Sequence, residues 1–160
     1  MIELNLVGVR VELPTNQPIV LLKEVDGERY LPIWIGAVEA SAIAFALQGV
    51  VTQRPMTHDL LKSILEEVGV TVDQISITEL KEGTFYSSIR LSRNGASYEV
   101  SSRPSDALAL AVRTNVRIFA SEDVLEEASI TIRDDDEEAE VERFKAFLEE
   151  VRPEDFQSDS

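Results

Sequence analysis

The sequence predicts an α+β domain built on a mixed, mostly antiparallel sheet, and three observations support that prediction. The chain has 160 residues, of which 44% are hydrophobic, enough for one core with an appended segment. Hairpin signals such as Asp26-Gly27 and Asn94-Gly95 join short strand-like runs. Two helical segments, 38–47 and 104–113, are apolar almost all round, so we expect both to be buried against the sheet.

Strands dominate the first quarter of the chain. Along the first of them the apolar side switches near Gly8, which indicates a bulge or a bend. Gly36 ends the third strand, and an alanine-rich helix follows it. The predicted elements are strands over 2–13, 19–22 and 30–35 and a buried helix over 38–47.

A surface helix is predicted next, capped by Thr57 or Asp59 and ended by Gly69. We expect its apolar residues on one face, and they are Leu60, Leu61, Ile64, Leu65 and Val68. The later elements are strands over 70–80, 84–93, 96–101 and 116–120, a buried helix over 104–113, and a short helix opened by Ser121.

Three strands followed by an alanine-rich helix occur twice along the chain. In this comparison Glu39–Ala44 corresponds to Asp106–Ala111. Pro104 suits the first turn of the second helix, because its missing N–H would have no partner there. The repeat favours duplication of a βββα unit.

Negative charge is concentrated near the C-terminus. The net charge is −15, but residues 1–120 carry 14 acidic and 11 basic side chains, whereas residues 121–160 carry 16 and 4. The first part therefore offers no basic stripe for non-specific binding of nucleic acid, although a local positive patch remains open.

The tail is predicted to be separate from the domain. We expect a domain over residues 1–130 and a tail over 131–160, in which the acidic run 134–138 is a solvated linker. Apolar residues then recur at helical spacing, at Val141, Phe144, Leu148 and Val151. This amphipathic helix would pack on its own domain, on a sister subunit, or on another partner protein.

Several classes of protein are excluded or disfavoured. The absence of cysteine excludes disulfides, Cys-ligated zinc and thiol nucleophiles. The N-terminal residues resemble no signal peptide, and no apolar run reaches the length of a membrane span, so we expect a cytoplasmic protein with no membrane partner. There is no P-loop and no nucleophile elbow, and the single histidine excludes a His-x-x-x-His motif.

Two arginines stand directly before predicted helices, in Arg54-Pro55 and Arg103-Pro104. A helix N-terminus has free N–H groups and a partial positive charge, and an arginine beside it adds donors suited to phosphate. Each start is therefore a candidate phosphate site. The alternative is that Arg103 pairs with Asp106 or Glu39 and only fixes the helix start.

Other polar residues of the helix starts have two interpretations. His58 could be a general base, a metal ligand, or a hydrogen-bonded helix residue. Ser105 and Asp106 could take part in catalysis or cap their helix. If the carboxylates of Glu39, Asp59 and Asp106 meet in space, they could bind Mg²⁺ or Mn²⁺.

Trp34 is the sole tryptophan of the chain and lies within a predicted strand. We expect it to pack in the core or in a subunit interface, and base stacking is the alternative.

Four segments resemble the bifunctional nuclease family, and they are Leu31–Gly36, Glu39–Ala44, Arg54–Leu61 and Arg103–Ala111. The resemblance covers residues 1–130 and implies an α+β fold that self-associates, in a small bacterial cytoplasmic protein. It also implies hydrolysis of DNA and RNA. The family often has an acidic residue just before the Arg-Pro-Ser-Asp motif, where this chain has Ser101 and Ser102.

From the residues and this resemblance we predict a nuclease that depends on Mg²⁺ or Mn²⁺ and binds nucleic acid. The predicted catalytic residues are His58, Asp59, Arg103, Ser105 and Asp106. Arg54 and Arg103 would bind substrate, and Glu39, Asp59 and Asp106 would bind the metal. The alternative is a non-catalytic, homo-oligomeric module that binds an anion or a protein.

Overall fold

The computed structural model describes residues 1–12 and 15–131, without the side chain of Glu12. The predicted linker and tail helix therefore lie outside the described residues. The strands are β1 (Ile2–Glu12), β2 (Gln17–Glu24), β3 (Arg29–Trp34), β4 (Thr71–Lys81), β5 (Thr84–Arg93), β6 (Ala96–Ser102), β7 (Arg117–Ala120) and β8 (Ile130–Thr131). The helices are α1 (Ala37–Leu47), α2 (Thr57–Glu67), α3 (Pro104–Thr114) and α4 (Glu122–Ala128).

The described strands form one eight-stranded sheet in the order β6-β5-β4-β7-β1-β2-β3-β8. Neighbours are antiparallel except β4 and β7, which run parallel, so the predicted mixed, mostly antiparallel sheet is confirmed. The register shifts between Leu6 and Gly8, which confirms the predicted bulge. Strand β8 was not predicted, because two residues are too short to show an alternating pattern.

Two three-stranded meanders, β1-β2-β3 and β4-β5-β6, are joined at the centre of the sheet by β7. Each meander is followed by an alanine-rich helix, with α2 inserted after α1. This order agrees with two βββα units, while duplication of the sequence itself stays a prediction.

The core lies between the sheet and the pair α1 and α3, which pack against each other. Small side chains such as Ala40, Ala44 and Ala107 allow the two helices to approach closely. Leu108 and Leu110 are almost fully buried, and burying such a side chain contributes about 1.5–3 kcal/mol. Both alanine-rich helices are therefore buried, as predicted.

Helix α2 lies on the surface, as predicted, but its apolar residues do not share one buried face. Leu61 and Leu65 pack against the core, whereas Leu60 and Ile64 are each 51% exposed. Successive residues of a helix are about 100° apart. The five predicted apolar residues therefore lie within an arc of about 140°, in agreement with the prediction of one face, but only the side that carries Leu61 and Leu65 contacts the core.

Trp34 does not pack in the core, whereas the other predicted location, a subunit interface, stays a prediction. Ile33 and Ile35 on either side of Trp34 are buried, and the alternation of a strand directs Trp34 to the opposite side, where it is 56% exposed. Within residues 1–12 and 15–131, no helix is long and apolar enough to cross a membrane.

Candidate functional site

The starts of three helices meet at one corner of the domain. His58, in the first turn of α2, places Nε2 2.9 Å from Oδ1 of Asp106, in the first turn of α3. Glu39, in the first turn of α1, lies across from Arg103, the residue that precedes α3. Four of the predicted site residues are therefore brought together although they come from three separate segments.

Arg103 connects the acidic side chains of this corner. Its Nε donates to Oδ2 of Asp106 at 2.9 Å, and its Nη2 donates to Oδ1 at 3.2 Å. Its Nη1 lies 3.8 Å from Oε2 of Glu39, an ion pair without hydrogen-bond contact. Arg103 thus pairs with two of the three predicted carboxylates, Glu39 and Asp106. Its side chain is still 63% exposed, which leaves it accessible to a ligand.

Asp106 accepts hydrogen bonds from both Arg103 and His58. Burial raises the pKa of Asp106, but the hydrogen bonds and charges of Arg103 and His58 outweigh that effect and hold the pKa below its usual range. The carboxylate is therefore ionised at neutral pH. An ionised carboxylate can only accept, so Nε2 of His58 carries the shared hydrogen.

Asp59 forms a separate link between α2 and α3. Its Oδ1 accepts from Nε of Arg113 at 2.6 Å, and its Oδ2 accepts from the backbone N–H of Met56 at 3.0 Å. Burial raises the pKa of Asp59, but the hydrogen bonds from Arg113 and Met56 lower it further, so the net pKa is lowered. Asp59 thus caps α2 and holds Arg113, whose side chain is 6% exposed.

Arg113 was not singled out in the sequence. The available signal was a basic residue in the last turn of a helix, where it interacts favourably with the helix dipole. That signal does not identify the carboxylate that it binds. Arg113 also donates to the carbonyl of Ala109 at 2.9 Å, so its guanidinium is held on both sides.

Ser105 is not the cap of α3, because Arg103 occupies the N-cap and Pro104 the first helical position. Ser105 is 6% exposed. Within the described part of the chain, its hydroxyl makes no hydrogen bond. The side chain lines a surface cleft beside Arg103.

This cleft, with a volume of ≈420 Å³, opens between the end of β3, the β4–β5 hairpin and the start of α3. Its lining includes Trp34, Glu39, Phe85, Arg103 and Ser105. His58 and Asp106 do not line it, so Arg103 stands between the cleft and the His58–Asp106 pair. The arrangement presents a cation, a carboxylate, a hydroxyl and an aromatic ring to one ligand.

Arg54 does not join this cluster. Among residues 1–12 and 15–131, its guanidinium makes no hydrogen bond or ion pair with any side chain. Its predicted role in substrate binding stays a prediction.

The predicted metal ligands do not form a three-ligand group. In the part of the chain that is described, no three His, Asp or Glu side chains are placed to hold one metal ion. Glu39 and Asp106 both face Arg103, and Asp59 faces Arg113. This donor set does not fit a metal centre made by the protein alone, and dependence on Mg²⁺ or Mn²⁺ stays a prediction.

Comparison with known proteins identifies the family. The family described as "Bifunctional nuclease domain" matches residues 20–133. "Uncharacterized protein Rv1829" of Mycobacterium tuberculosis is 48% identical over 164 residues, which cover 98% of each chain. "Bifunctional nuclease 1" of Oryza sativa subsp. japonica is 31% identical over 106 residues, covering 64% of this chain and 32% of the rice protein.

"Bifunctional nuclease 1" of Arabidopsis thaliana is 29% identical over 105 residues, covering 63% of this chain and 32% of the plant protein. The family match spans α1, α2 and α3 and therefore includes Glu39, His58, Arg103 and Asp106. The chain belongs to the bifunctional nuclease family.

Proposed function

We propose that this protein hydrolyses phosphodiester bonds of DNA and RNA at the cleft beside Arg103. One observation carries the proposal: an exposed guanidinium is held by Asp106 at the start of α3, next to the carboxylate of Glu39. The names of the plant relatives agree with this activity.

Arg103 would hold the scissile phosphate. Asp106 engages Nε and Nη2 and fixes the plane of the guanidinium, which leaves Nη1 on the side of Glu39 and the cleft. The N–H groups of the first turn of α3 add a partial positive charge at the same place. Donors fixed before the reaction stabilise the charge that builds up on the phosphoryl oxygens.

Glu39 is the carboxylate that lines the cleft next to Arg103. In the proposed reaction it accepts a proton from a water molecule as the water oxygen forms a bond to phosphorus. The bond from phosphorus to the leaving sugar oxygen breaks, and that oxygen takes up a proton from solvent. Glu39 then releases its proton to solvent, so the reaction balances without a further reactant.

His58 has a positioning role in this proposal, because it does not line the cleft. Its hydrogen bond to Asp106 fixes the carboxylate that in turn orients Arg103. Asp59 acts further away, by capping α2 and holding Arg113.

Labelled single-stranded DNA and RNA, incubated with EDTA, Mg²⁺ or Mn²⁺, test the activity and its metal dependence. We expect Arg103→Ala to lower kcat/KM by about 10²–10³-fold, the usual effect of removing a donor to a developing negative charge. Glu39→Gln removes the proposed general base and should lower kcat/KM by about 10²–10⁴-fold. Arg90→Ala is the matched control, since Arg90 is an exposed arginine of β5 that pairs with Glu99. Cleavage that persists in both site variants would point to a contaminating nuclease or to another site, and would contradict hydrolysis at this cleft.

The second candidate is a homo-oligomeric module that binds an anion without catalysis. The observation in its favour is that Arg103, Asp106 and His58 already satisfy one another, which a structural role alone would explain. Thermal stabilisation by phosphate or by oligonucleotides, lost in Arg103→Ala and without turnover under any metal condition, would favour this module over the nuclease.

A further inference from the structure

Trp34 is held in an exposed position at the mouth of the cleft. It is the sole tryptophan of the chain, and it is 56% exposed between two buried neighbours, Ile33 and Ile35. Trp34 is the last residue of β3, and the backbone N–H of Ile35 after it donates to the carbonyl of Pro18 at 3.1 Å, so the backbone is held on both sides of the ring. It lines the same cleft as Arg103 and Ser105.

We propose that Trp34 stacks on an unpaired base of the strand whose phosphate Arg103 binds, which makes the cleft selective for single-stranded nucleic acid. This proposal rests on the proposed function. Stacking on an aromatic ring needs a free face of the base, which neighbouring bases cover within a duplex. Every base has such a face, so the subsite would accept DNA and RNA of any sequence.

The remainder of the cleft fits one nucleotide. A volume of ≈420 Å³ lies within the range of sites for small ligands. The Ser105 hydroxyl makes no hydrogen bond to the described residues, so it is available to donate to a phosphate or sugar oxygen. Phe85 adds an apolar wall. A single contact between arginine and phosphate predicts that binding depends only weakly on salt. The logarithm of the association constant should fall by roughly 0.7 for each tenfold rise in salt concentration.

The single tryptophan allows a direct test. The full-length protein in EDTA is titrated with a phosphorothioate dT oligonucleotide while its tryptophan emission is recorded. We expect saturable quenching by the single strand and none by the same oligonucleotide in a duplex. Quenching of equal size by the duplex would overturn the proposal.

Substitution tests the size of the effect by fluorescence anisotropy of a labelled oligonucleotide. Trp34→Ala should weaken binding about 5- to 150-fold, and Trp34→Phe should retain most of the affinity. Tyr98→Ala is the control, because Tyr98 is an equally exposed aromatic residue on β6 that does not line the cleft. Equal binding by Trp34→Ala and the wild type would overturn the subsite.

The outcomes separate this subsite from the proposed hydrolysis. Quenching without cleavage would support the base subsite and contradict hydrolysis. Cleavage with an unchanged KM in Trp34→Ala would support hydrolysis and contradict the subsite. Emission that changes with protein concentration in the absence of DNA would place Trp34 in a subunit interface and overturn the proposal.

Helix α2 carries a second surface of interest, an apolar row on its solvent-exposed side. An apolar residue recurs there every four positions, from the N-cap to the C-cap. The row consists of Met56, Leu60, Ile64 and Val68. All four side chains are between 42% and 51% exposed. Residues four apart lie on the same side of a helix, so they form one continuous apolar ridge.

The charges around this ridge are placed at opposite ends. Arg54 precedes α2, whereas Glu66 and Glu67 stand in its last turn, where the helix dipole disfavours acidic residues. Within the described part of the chain, none of these three side chains forms an ion pair.

We infer that α2 packs against α2 of a second copy, antiparallel and about a twofold axis that passes between Leu60 and Ile64. This arrangement brings Arg54 and the positive end of each helix to Glu67 of the other copy. Ridges of four-residue spacing interdigitate at a crossing angle of roughly 50°. Residues 132–160 are a less suitable occupant, since they carry 12 acidic and 4 basic side chains.

Charge reversal tests this interface by sedimentation velocity of the full chain. Arg54→Glu and Glu67→Arg should each weaken self-association at least tenfold, and an equimolar mixture should restore it, because both ends of the mixed pair are again complementary. Glu127→Arg, an exposed reversal on α4, is the control. Wild-type protein that stays monomeric at every concentration, or a mixture that fails to associate, would overturn the inference.

Discussion

Nε2 of His58 lies 2.9 Å from Oδ1 of Asp106, although 48 positions separate the two residues in the chain. This contact joins the first turn of a surface helix to the first turn of a buried one. Asp106 also accepts two hydrogen bonds from Arg103, so one carboxylate links His58 to the guanidinium at the cleft.

Asp106→Asn should lower kcat/KM while the fold is retained. Asparagine has the same shape but no charge to orient the guanidinium, so we expect a loss of about 10–100-fold, comparable to the loss of a residue that orients a metal-binding side chain. Steady-state kinetics on single-stranded DNA measure it, and circular dichroism checks the fold. Activity equal to that of the wild type would show that Arg103 needs no orientation by Asp106.

His58→Ala should lower the height of the pH–rate profile and leave its shape unchanged. A positioning residue alters the geometry of Arg103 at every pH, whereas a proton-transfer residue determines a limb of the profile. The measurement is kcat/KM from pH 5 to 9 in the wild type and the variant. Loss of a limb would assign direct proton transfer to His58.

Asp59→Ala should destabilise the protein by about 1–3 kcal/mol, the range for a hydrogen bond to a charged group whose buried partner is left unsatisfied. Arg113 would lose its carboxylate while its side chain is only 6% exposed. Urea unfolding measures the change. Asp73→Ala serves as the control, because its hydrogen bond to Ser92 is exposed and should contribute less than ~0.5 kcal/mol.

Stability should fall in acid partly through Asp59 and Asp106. Both carboxyls have lowered pKa values in the folded state, so their contribution is complete above the ordinary range of Asp, near pH 4, and is lost as the pH falls below it. The urea midpoint from pH 7 to pH 2.5 checks this. The double variant Asp59→Asn, Asp106→Asn should show a shallower decline, and a parallel decline would contradict the assignment.

Leu108→Ala should destabilise the protein by about 2–5 kcal/mol, because Leu108 of α3 is fully buried in the core and truncation leaves a cavity. Val38→Ala on α1 is the control, since Val38 is 73% exposed. Thermal or urea unfolding of the two variants gives the comparison. Equal losses would contradict the placement of α3 at the centre of the core.

The sequence by itself determined most of the secondary structure, without the two-residue strand β8, and one contact of the site. Alternation, turn residues and helix caps are local signals, so the strands, the bulge near Gly8 and the alanine-rich helices could be predicted from them. The pairing of Arg103 with Asp106 could be predicted for the same reason, because residues three apart on a helix start are neighbours.

Only the tertiary structure decided the contacts between distant segments. Arg113 with Asp59 and His58 with Asp106 are pairs separated by 54 and 48 positions, and no local signal links them. The exposure of Trp34 and of the apolar ridge of α2 also could not be predicted from local signals. Periodicity indicates which residues lie on the same side of an element, but whether that side is covered depends on which other elements pack against it.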